Sequence, residues 1–428
     1  MSEQHGHYAC EDYRTTSRRQ LLAKAGLATA AMAVPAWMPK MAFAQSHNSD
    51  RDVIIWVNLV GGCDGLSMVV PHGDPEYYAA RPNIAIPQPG SGQAGRCTDL
   101  DGYFGLSGPM LDLLPAYQDG KLLIVNAVGR DNWTRSHFEA QKWVEAGSKE
   151  EVLGGWLGRH LACTAPMGTD GLIRALSFQA SLTPALLGGP GVISARNPAE
   201  MTLGGGFNND PELMSYLVRM YARNQDMTRD IVRGAANAVA RIDALNLDQY
   251  APSGGASYTD TNFGRALKHS AALIKAEIGI EALHVERVGW DTHANQNPLD
   301  GTMFNLMREL SGNLGAFYRD MAASDKMNWV MVVTSEFGRT IRENGSNGTD
   351  HGTANCMFVM GGSVLGGRLA GTWPGIAPGQ RFQGVDLRCT TDYRTVLAEI
   401  VRKRLKNQNS QYVFPGFSAG AGIGAVAA

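Results

Sequence analysis

Five short apolar segments of the chain have the composition of buried β-strands. The first covers residues 52–60 and is rich in β-branched residues, which is typical of a central strand covered on both faces of a sheet. Four further segments of similar character lie at 122–127, 283–288, 328–334 and 356–360. The loops at several of these strand ends carry acidic or imidazole side chains, whereas the strand interiors are apolar.

Apolar positions spaced three and four residues apart predict helices between the strands. The predicted helices lie at 136–145, 211–222, 228–247, 263–278 and 392–405. This alternation of strands and helices predicts an α/β fold, with a mostly parallel sheet and helices on both of its faces. We expect residues 45–428 to form a single domain of this kind, with a helical insertion at about 210–280.

The first 44 residues have the three parts of a twin-arginine export signal, in the right order. Residues 17–22 contain the arginine pair, residues 25–34 form a short apolar stretch, and residues 42–44 offer a small-x-small cleavage site. We therefore predict a signal peptide, the twin-arginine translocase as the partner in export, and a periplasmic or extracellular mature protein. The mature chain has no apolar run of about 18 residues, so no membrane span is expected in it.

Composition and charge limit the classes of molecule that this protein is expected to bind. The formal net charge is −2 at pH 7, so the chain has no basic excess with which to bind nucleic acid. Glycine is frequent, at 51 of 428 residues, which indicates many tight loops. Five of the 6 cysteines lie after the predicted cleavage site, and an odd number leaves at least one thiol without a disulfide partner.

Acidic and imidazole groups are concentrated at the predicted strand ends. Asp64 follows the first strand, Asp291 and His293 follow the third, Glu336 follows the fourth, and His351 shortly precedes the fifth. In parallel sheets, binding sites form at the carboxyl ends of the strands. An aspartate and a histidine two positions apart share a face of an extended segment and can hold one cation.

Each of these motifs also has a purely structural explanation. The aspartates and histidines fit glycine-containing turns, and Glu336 fits an ion pair with Arg339 or Arg342. Ser136 fits a helix N-cap, with Glu139 three residues later completing a capping box. The functional alternatives are that Arg339 binds an anionic substrate through its planar fork and that Ser136 is a nucleophile at a helix N-terminus.

Five segments, in order along the chain, resemble an exported bacterial family catalogued as domain of unknown function 1501. The segments are G-G-x-D-G-L, R-S-H-F-x-A-Q, G-W-D-T-H, S-E-F-G-R-T and D-H-G. That family is similar to the alkaline phosphatase and sulfatase superfamily. The resemblance implies an alkaline-phosphatase-like, three-layer α/β/α sandwich with a mostly parallel central sheet and metal ions at the carboxyl edge of the sheet.

The resemblance also implies roles for individual residues. Ser136 matches the superfamily's nucleophile, with a water activated by the metal as the alternative, and His137 and Arg339 would stabilise the substrate oxyanion. The implied metal ligands are Asp64, Asp291, His293, Glu336 and His351.

Two departures from the superfamily pattern limit what the resemblance implies. Phe337 stands where a histidine is common, so one imidazole is missing, and a single metal or an oxygen-rich site for Mn²⁺, Mg²⁺ or Ca²⁺ is as compatible as two Zn²⁺ ions. None of the cysteines lies in C-x-P-x-R or C-x-A-x-R, which argues against a sulfatase with a modified cysteine.

Together these patterns predict a metal-dependent hydrolase of phosphate, sulfate or related anionic esters, acting on a small molecule or a polymer. The metal would lower the pKa of a hydroxyl or water and neutralise charge on the transferred group. The alternative is a catalytically inactive exported binding or scaffold protein that retains the fold, with Trp156, Trp290 and Trp373 as a sugar-stacking surface. A cation that only stiffens the loops is a third interpretation.

Overall fold

The computed structural model describes residues 50–130, 134–168, 173–200 and 241–428. The predicted signal peptide therefore lies outside the described residues. The predicted helix at 211–222 and most of the one at 228–247 lie outside them as well.

A nine-stranded sheet dominates the described part of the chain. The strands are β1 (Val53–Val60), β2 (Val69–Val70), β3 (Thr98–Asp99), β4 (Gly105–Leu106), β5 (Leu122–Gly129), β6 (Ala175–Ser177), β7 (Val192–Ser194), β8 (Ala282–Val288), β9 (Trp329–Ser335), β10 (Asn355–Gly361), β11 (Arg368–Ala370) and β12 (Thr391–Asp392). The order in the main sheet is β11-β5-β10-β9-β1-β8-β6-β7, with β12 paired to β5, and β2, β4 and β3 form a small separate sheet.

Strand β1 lies between two parallel partners, β8 and β9. Its side chains alternate between two separate cores, with Ile55 and Val57 in one and Ile54 and Trp56 in the other. Full burial of an aliphatic side chain of this size stabilises a protein by about 1.5–3 kcal/mol. A strand covered on both faces is therefore apolar at nearly every position, which explains the continuous apolar run in the sequence.

Strand β10 runs antiparallel to both of its neighbours, β9 and β5, whereas the other pairs in the main sheet are parallel. Asn355, the first residue of β10, pairs with Val128 near the end of β5. The segment that precedes β10 therefore lies at the same edge of the sheet as the segments that follow the parallel strands.

Helices cover both faces of the sheet. The α-helices are α1 (Gly65–Met68), α2 (Pro75–Ala80), α3 (Leu114–Gln118), α4 (His137–Ala146), α5 (Trp156–Ala162), α6 (Asn262–Lys275), α7 (Thr302–Ala322), α8 (Tyr393–Lys403) and α9 (Ser410–Val413). Leu267 of α6 and Leu310 of α7 pack in the core on one face, and Leu157 of α5 and Val396 of α8 pack in the core on the other. The predicted α/β/α sandwich with a mostly parallel central sheet is confirmed.

The predicted elements within the described residues are present, with small differences at their ends. All five predicted strands occur, and the helix predicted at 263–278 is α6, which ends at Lys275. Strands β6, β7 and β11 have three residues each, and segments this short have no period from which a strand can be predicted. Among the described residues, no helix has both the length and the apolar character needed to cross a bilayer.

Candidate metal centre

Four segments meet at the carboxyl edge of the sheet and bring most of the predicted site residues together. Ser136 and His137 begin α4 after β5, Asp291 and His293 follow β8, Glu336 and Arg339 follow β9, and His351 precedes β10. His351 reaches this edge ahead of its strand because β10 is the antiparallel strand of the sheet.

The carboxylate of Asp291 is the centre of a cluster with three histidines. Its Oδ1 lies 2.9 Å from Nε2 of His293 and 3.0 Å from Nε2 of His351. Its Oδ2 lies 3.5 Å from Nε2 of His137. The possible ligand atoms of His137, Asp291 and His351 all lie within 4.8 Å of one another. We call these four residues the Asp291 cluster.

Each histidine of the cluster is held through its other ring nitrogen by an oxygen atom. Nδ1 of His137 lies 2.8 Å from Oε1 of Glu336, and Nδ1 of His293 lies 3.1 Å from Oδ1 of Asp350. Nδ1 of His351 lies 2.8 Å from the carbonyl oxygen of Arg135. Oxygen acceptors of this kind require Nδ1 to carry the hydrogen, so a neutral ring directs the lone pair of Nε2 into the cluster. Metal-binding histidines have this second hydrogen bond almost without exception.

The donor atoms of the cluster fit a divalent cation. Nε2 of His137 is buried and has no hydrogen-bond partner among the described residues. Nε2 of His293 and Nε2 of His351 are 2.9 Å apart, an arrangement in which two lone pairs repel unless a cation or a proton lies between them. Three imidazoles and a carboxylate suit Zn²⁺ and similar transition metals better than Mg²⁺ or Ca²⁺, which prefer oxygen ligands.

Arg339 lies behind Asp291 and holds it in place. Its side chain has no exposed surface, whereas the side chain of Asp291 is 45% exposed, and Nη2 is 2.6 Å from Oδ1 of Asp291. Other N–H groups of Arg339 donate to the carbonyl oxygens of Gly61, Gly62, Trp290 and Thr349. Burial would raise the pKa of Asp291, but the hydrogen bond and positive charge of Arg339 contribute to lowering it to about 2. The structure thus places Arg339 where it orients Asp291, with its side chain buried and its N–H groups donating to protein oxygens.

Glu336 also lies one layer behind the cluster. Oε1 accepts hydrogen bonds from His137 and from the backbone N–H of Gly61, and Oε2 lies 2.9 Å from Oγ of Ser335, whose single hydrogen is also within reach of the carbonyl oxygen of Leu59, at 2.6 Å. Burial would raise the pKa of Glu336, but the hydrogen bond from His137 and those from backbone N–H groups lower it. The hydrogen bond to Glu336 in turn raises the pKa of His137 and outweighs the opposing effect of partial burial. Glu336 therefore orients His137, and both of its oxygens are occupied.

Asp64 is not brought into the Asp291 cluster. It forms a buried bidentate pair with Arg81, with Oδ2 2.6 Å from Nη1 and Oδ1 3.0 Å from Nη2. Oδ2 also accepts hydrogen bonds from Ser67 and Gln296, both at 2.6 Å. Burial would raise the pKa of Asp64, but the charge and hydrogen bonds of Arg81 lower it. The structure thus places Asp64 in a buried ion pair, with its oxygens turned toward Arg81.

Ser136 is the N-cap residue of α4, but its side chain makes no capping hydrogen bond. The expected capping box is absent because Oε2 of Glu139 accepts a hydrogen bond from Thr134, at 2.7 Å. The hydroxyl of Ser136 is therefore not engaged as a helix cap. It lies one residue before His137, next to the Asp291 cluster in sequence.

Phe337 forms an apolar wall of the cluster. Its ring centroid lies 4.8 Å from that of His137 and 4.9 Å from that of His351, and the side chain is buried. Phe337 therefore packs against two rings of the cluster and supplies no ligand atom.

Sequence reasoning missed two contributors to the centre, Asp350 and the carbonyl of Arg135. Asp350 holds His293, and its Oδ1 also accepts a hydrogen bond from Asn344, at 3.1 Å. This hydrogen bond and the one from His293 lower the pKa of Asp350, although burial opposes them. Asp350 stands next to His351 in the D-H-G motif, and this position was the sequence feature that could have identified it. Its partner, however, is a histidine 57 positions away.

The family model described as "Protein of unknown function (DUF1501)" matches residues 126–401. This chain belongs to that family. The family match spans every residue of the Asp291 cluster, together with Glu336, Arg339 and Asp350, and it begins after β1 and Asp64. A search of the curated proteins found no match.

Two solved structures show a distant similarity to this chain. One is the C-terminal periplasmic domain of EcEptC from Escherichia coli in complex with Zn, with 11% sequence identity, a TM-score of 0.31, and coverage of 76% of this chain and 77% of that chain. The other is a mutant of TAB5 alkaline phosphatase with Mg bound, with 13% identity, a TM-score of 0.27, and coverage of 73% of this chain and 91% of that chain. Both similarities are too distant to assign an activity to this chain.

Proposed function

We propose that this protein is an exported metal-dependent hydrolase of phosphate, sulfate or related anionic esters. The observation that carries the proposal is the convergence of three Nε2 atoms on the carboxylate of Asp291, with each Nδ1 occupied by an oxygen acceptor. The arginine pair, apolar stretch and cleavage site of residues 1–44 support export by the twin-arginine translocase, and thus a periplasmic or extracellular location.

The ligands that we propose are His137, Asp291, His293 and His351. His137 replaces Asp64 and Glu336 of the set predicted from the sequence, because its Nε2 faces the cluster while the oxygens of those two carboxylates are occupied elsewhere. The nitrogen-rich donor set favours Zn²⁺ over Mn²⁺, Mg²⁺ and Ca²⁺.

A divalent cation bound there would supply Lewis acidity, which lowers the pKa of the attacking group and neutralises charge on the ester. Ser136 is the first candidate for that attacking group, because its hydroxyl makes no capping bond and adjoins His137. A water molecule is the alternative. Arg339 keeps Asp291 anionic and in position, which leaves the substrate oxyanion to groups other than this arginine.

The scaffold interpretation loses part of its support. It relied on a sugar-stacking surface of Trp156, Trp290 and Trp373, but Trp156 and Trp290 are fully buried and pack within the two cores. Trp373 is half-buried and packs edge-on against Phe104. An exposed row of three tryptophans is therefore not available to a polymer.

The first test is the metal content of the purified full chain by elemental mass spectrometry. We expect about one transition-metal ion per chain, and its loss in the Asp291→Ala/His293→Ala double variant. The matched control is Asp99→Ala/His72→Ala, which removes another aspartate–histidine pair, 2.9 Å apart, with no further imidazole beside it. If the wild type remains metal-free after incubation with Zn²⁺, Mn²⁺, Mg²⁺ and Ca²⁺, the hydrolase proposal fails.

The second test is turnover of phosphate and sulfate monoesters and diesters by the metal-loaded protein. We expect hydrolysis that stops on chelation and returns when the metal is restored. Ser136→Ala should keep the metal and lose activity if the serine attacks, and should keep both if a water attacks. A protein that holds its metal but hydrolyses no ester would instead be a binding protein.

A further inference from the structure

Arg130 directly follows β5, at the same edge of the sheet as the Asp291 cluster. Its three guanidinium nitrogens are buried, and none of them has a hydrogen-bond partner within the described part of the chain. An arginine side chain carries five N–H donors and a permanent positive charge. Buried groups of this kind are nearly always paired, so an unpaired one indicates a ligand.

The surroundings of Arg130 stabilise a cation without satisfying its N–H groups. The guanidinium carbon lies 5.4 Å from the ring centroid of Trp143 on α4 and 6.0 Å from that of Tyr393 on α8. The hydroxyl of Tyr393 donates to the carbonyl of Trp143, at 3.0 Å, and burial raises the pKa of this hydroxyl to about 12, a rise that the positive charge of nearby Arg130 opposes. Ring faces attract a positive charge but leave the planar fork of donors free.

A cavity of about 420 Å³ opens beside Arg130, and Lys149 and Arg394 line it as well. Arg394 is neutralised by a bidentate pair with Asp392, with N–O distances of 2.9 and 2.6 Å. Lys149 and Glu150 are both exposed and carry opposite charges, so they add no net charge to the cavity. Arg130 is therefore the uncompensated positive charge of this cavity.

We propose that this cavity binds an oxyanion group, such as phosphate, sulfate or carboxylate, through Arg130. The guanidinium fork matches two oxygens of such a group, and it can reach them once the side chain turns toward the cavity, because its nitrogens are buried in this structure. A smaller cavity, of about 40 Å³, is also lined by Arg130 and extends to Ser335, Glu336 and Phe337 of the metal centre. The oxyanion site thus adjoins the metal centre but shares none of its proposed ligands.

This inference goes beyond the proposed hydrolysis, because it requires neither a metal nor turnover. The oxyanion could be a free ion or a group carried by a larger molecule, and both present the same chemistry to Arg130. The two sources can be separated by comparing inorganic phosphate with a sulfated polymer.

The test is isothermal titration calorimetry of inorganic phosphate and sulfate into the full chain after removal of metal with a chelator. We expect binding of one ion per chain, and an affinity at least tenfold lower in Arg130→Gln. Arg388→Gln is the matched control, because Arg388 is an exposed arginine outside this cavity. The same titration in Asp291→Ala/His293→Ala should show unchanged affinity, which separates this site from the metal centre.

Urea unfolding without ligand distinguishes a binding role from a structural one. Arg130→Gln should unfold at the same urea concentration as the wild type or a higher one, because it removes an unpaired buried charge. Dextran sulfate that displaces phosphate, when uncharged dextran does not, would indicate a polymer-borne group, and no displacement would indicate a free ion. Equal phosphate and sulfate affinity in Arg130→Gln and wild type, or no binding of either ion by the wild type, would overturn the proposal.

Discussion

Asp64 and Asp291 follow neighbouring parallel strands at the same edge of the sheet, yet their surroundings differ in kind. The side chain of Asp64 is 1% exposed and is paired with Arg81, which is itself fully buried. The side chain of Asp291 is 45% exposed and faces three imidazole nitrogens. A carboxylate whose partners are all hydrogen-bond donors has no lone pair left for a ligand, whereas one beside imidazole lone pairs can share a cation with them.

The largest effect on stability is expected from Asp64→Asn. Removal of one partner of a buried ion pair leaves the other charge uncompensated, so we expect the free energy of unfolding to fall by about 3–5 kcal/mol. Asp291→Asn should cost only about 1–2 kcal/mol, because Arg339 keeps four backbone carbonyl acceptors. Urea unfolding of both variants measures the difference. Similar losses in the two variants would contradict the contrast drawn between these aspartates.

A smaller effect, on metal affinity, is expected from Asp350→Asn. This substitution weakens the hydrogen bond to Nδ1 of His293 and lowers the electron density on the nitrogen that would face the metal. Changes of this kind typically reduce metal affinity by roughly 10- to 100-fold. Competition with a chelator of known affinity measures the change, with Asp325→Asn, at an exposed acidic residue after α7, as the control. An unchanged affinity would place His293 outside the ligand set.

The third prediction concerns Glu286, whose Oε1 lies 3.6 Å from Nε2 of His284, an imidazole that burial keeps neutral by lowering its pKa to about 3. Burial, and to a lesser extent the negative charge of Glu336, raises the pKa of Glu286 to about 7. An unfolded chain releases this proton near pH 4.5, the ordinary value. The folded protein therefore holds a proton that the unfolded chain has lost, and stability must fall as the pH rises from about 4.5 to 7 and stay reduced above it.

Glu286→Gln should remove that loss, which is about 3 kcal/mol at pH 8, and so raise the melting temperature there. At pH 4.5 the variant and the wild type should melt together. Glu145, whose pKa burial also raises to about 7, contributes a loss of the same sign, so some pH dependence should persist in the single variant. The measurement is thermal unfolding across this pH range in the presence of chelator. A larger pH dependence in the variant would show that Glu286 is ionised in the folded protein.

Much of the fold could be predicted from the sequence because the central strands are buried on both faces. β1, β5, β9 and β10 are mostly continuous apolar runs, and such runs have few alternatives to a central strand, whereas β8 is apolar mainly in its first half. The direction of β10 could not be predicted, because direction depends on pairing with distant strands. This is why a histidine that precedes its strand reaches the same edge as aspartates that follow theirs.

The position of the candidate site could be predicted from the sequence. Which of its residues face the proposed metal and which support them from behind could not. Glu336 and Asp291 both follow strands, and only the structure shows that Glu336 bonds a histidine 199 positions away. His137 follows a serine at a helix N-terminus, and Glu139, two positions later, fits a capping box, so the sequence did not mark His137 as a ligand. Arg81 gave no signal as the partner of Asp64, since charge pairing between loops leaves no periodic pattern.

The reversed strand β10 also fixes when a metal ion can be captured. His351 comes late in the chain, and it joins His137, Asp291 and His293 only once β10 has inserted between β5 and β9. With the proposed ligands, metal loading would therefore follow synthesis and completion of the sheet. Once bound, the ion would cross-link segments far apart in the chain, and closing such long loops opposes unfolding. A protein that crosses the membrane already folded would then carry a cation taken from the cytoplasm, so the composition of the cytoplasm would decide which metal the protein carries outside it.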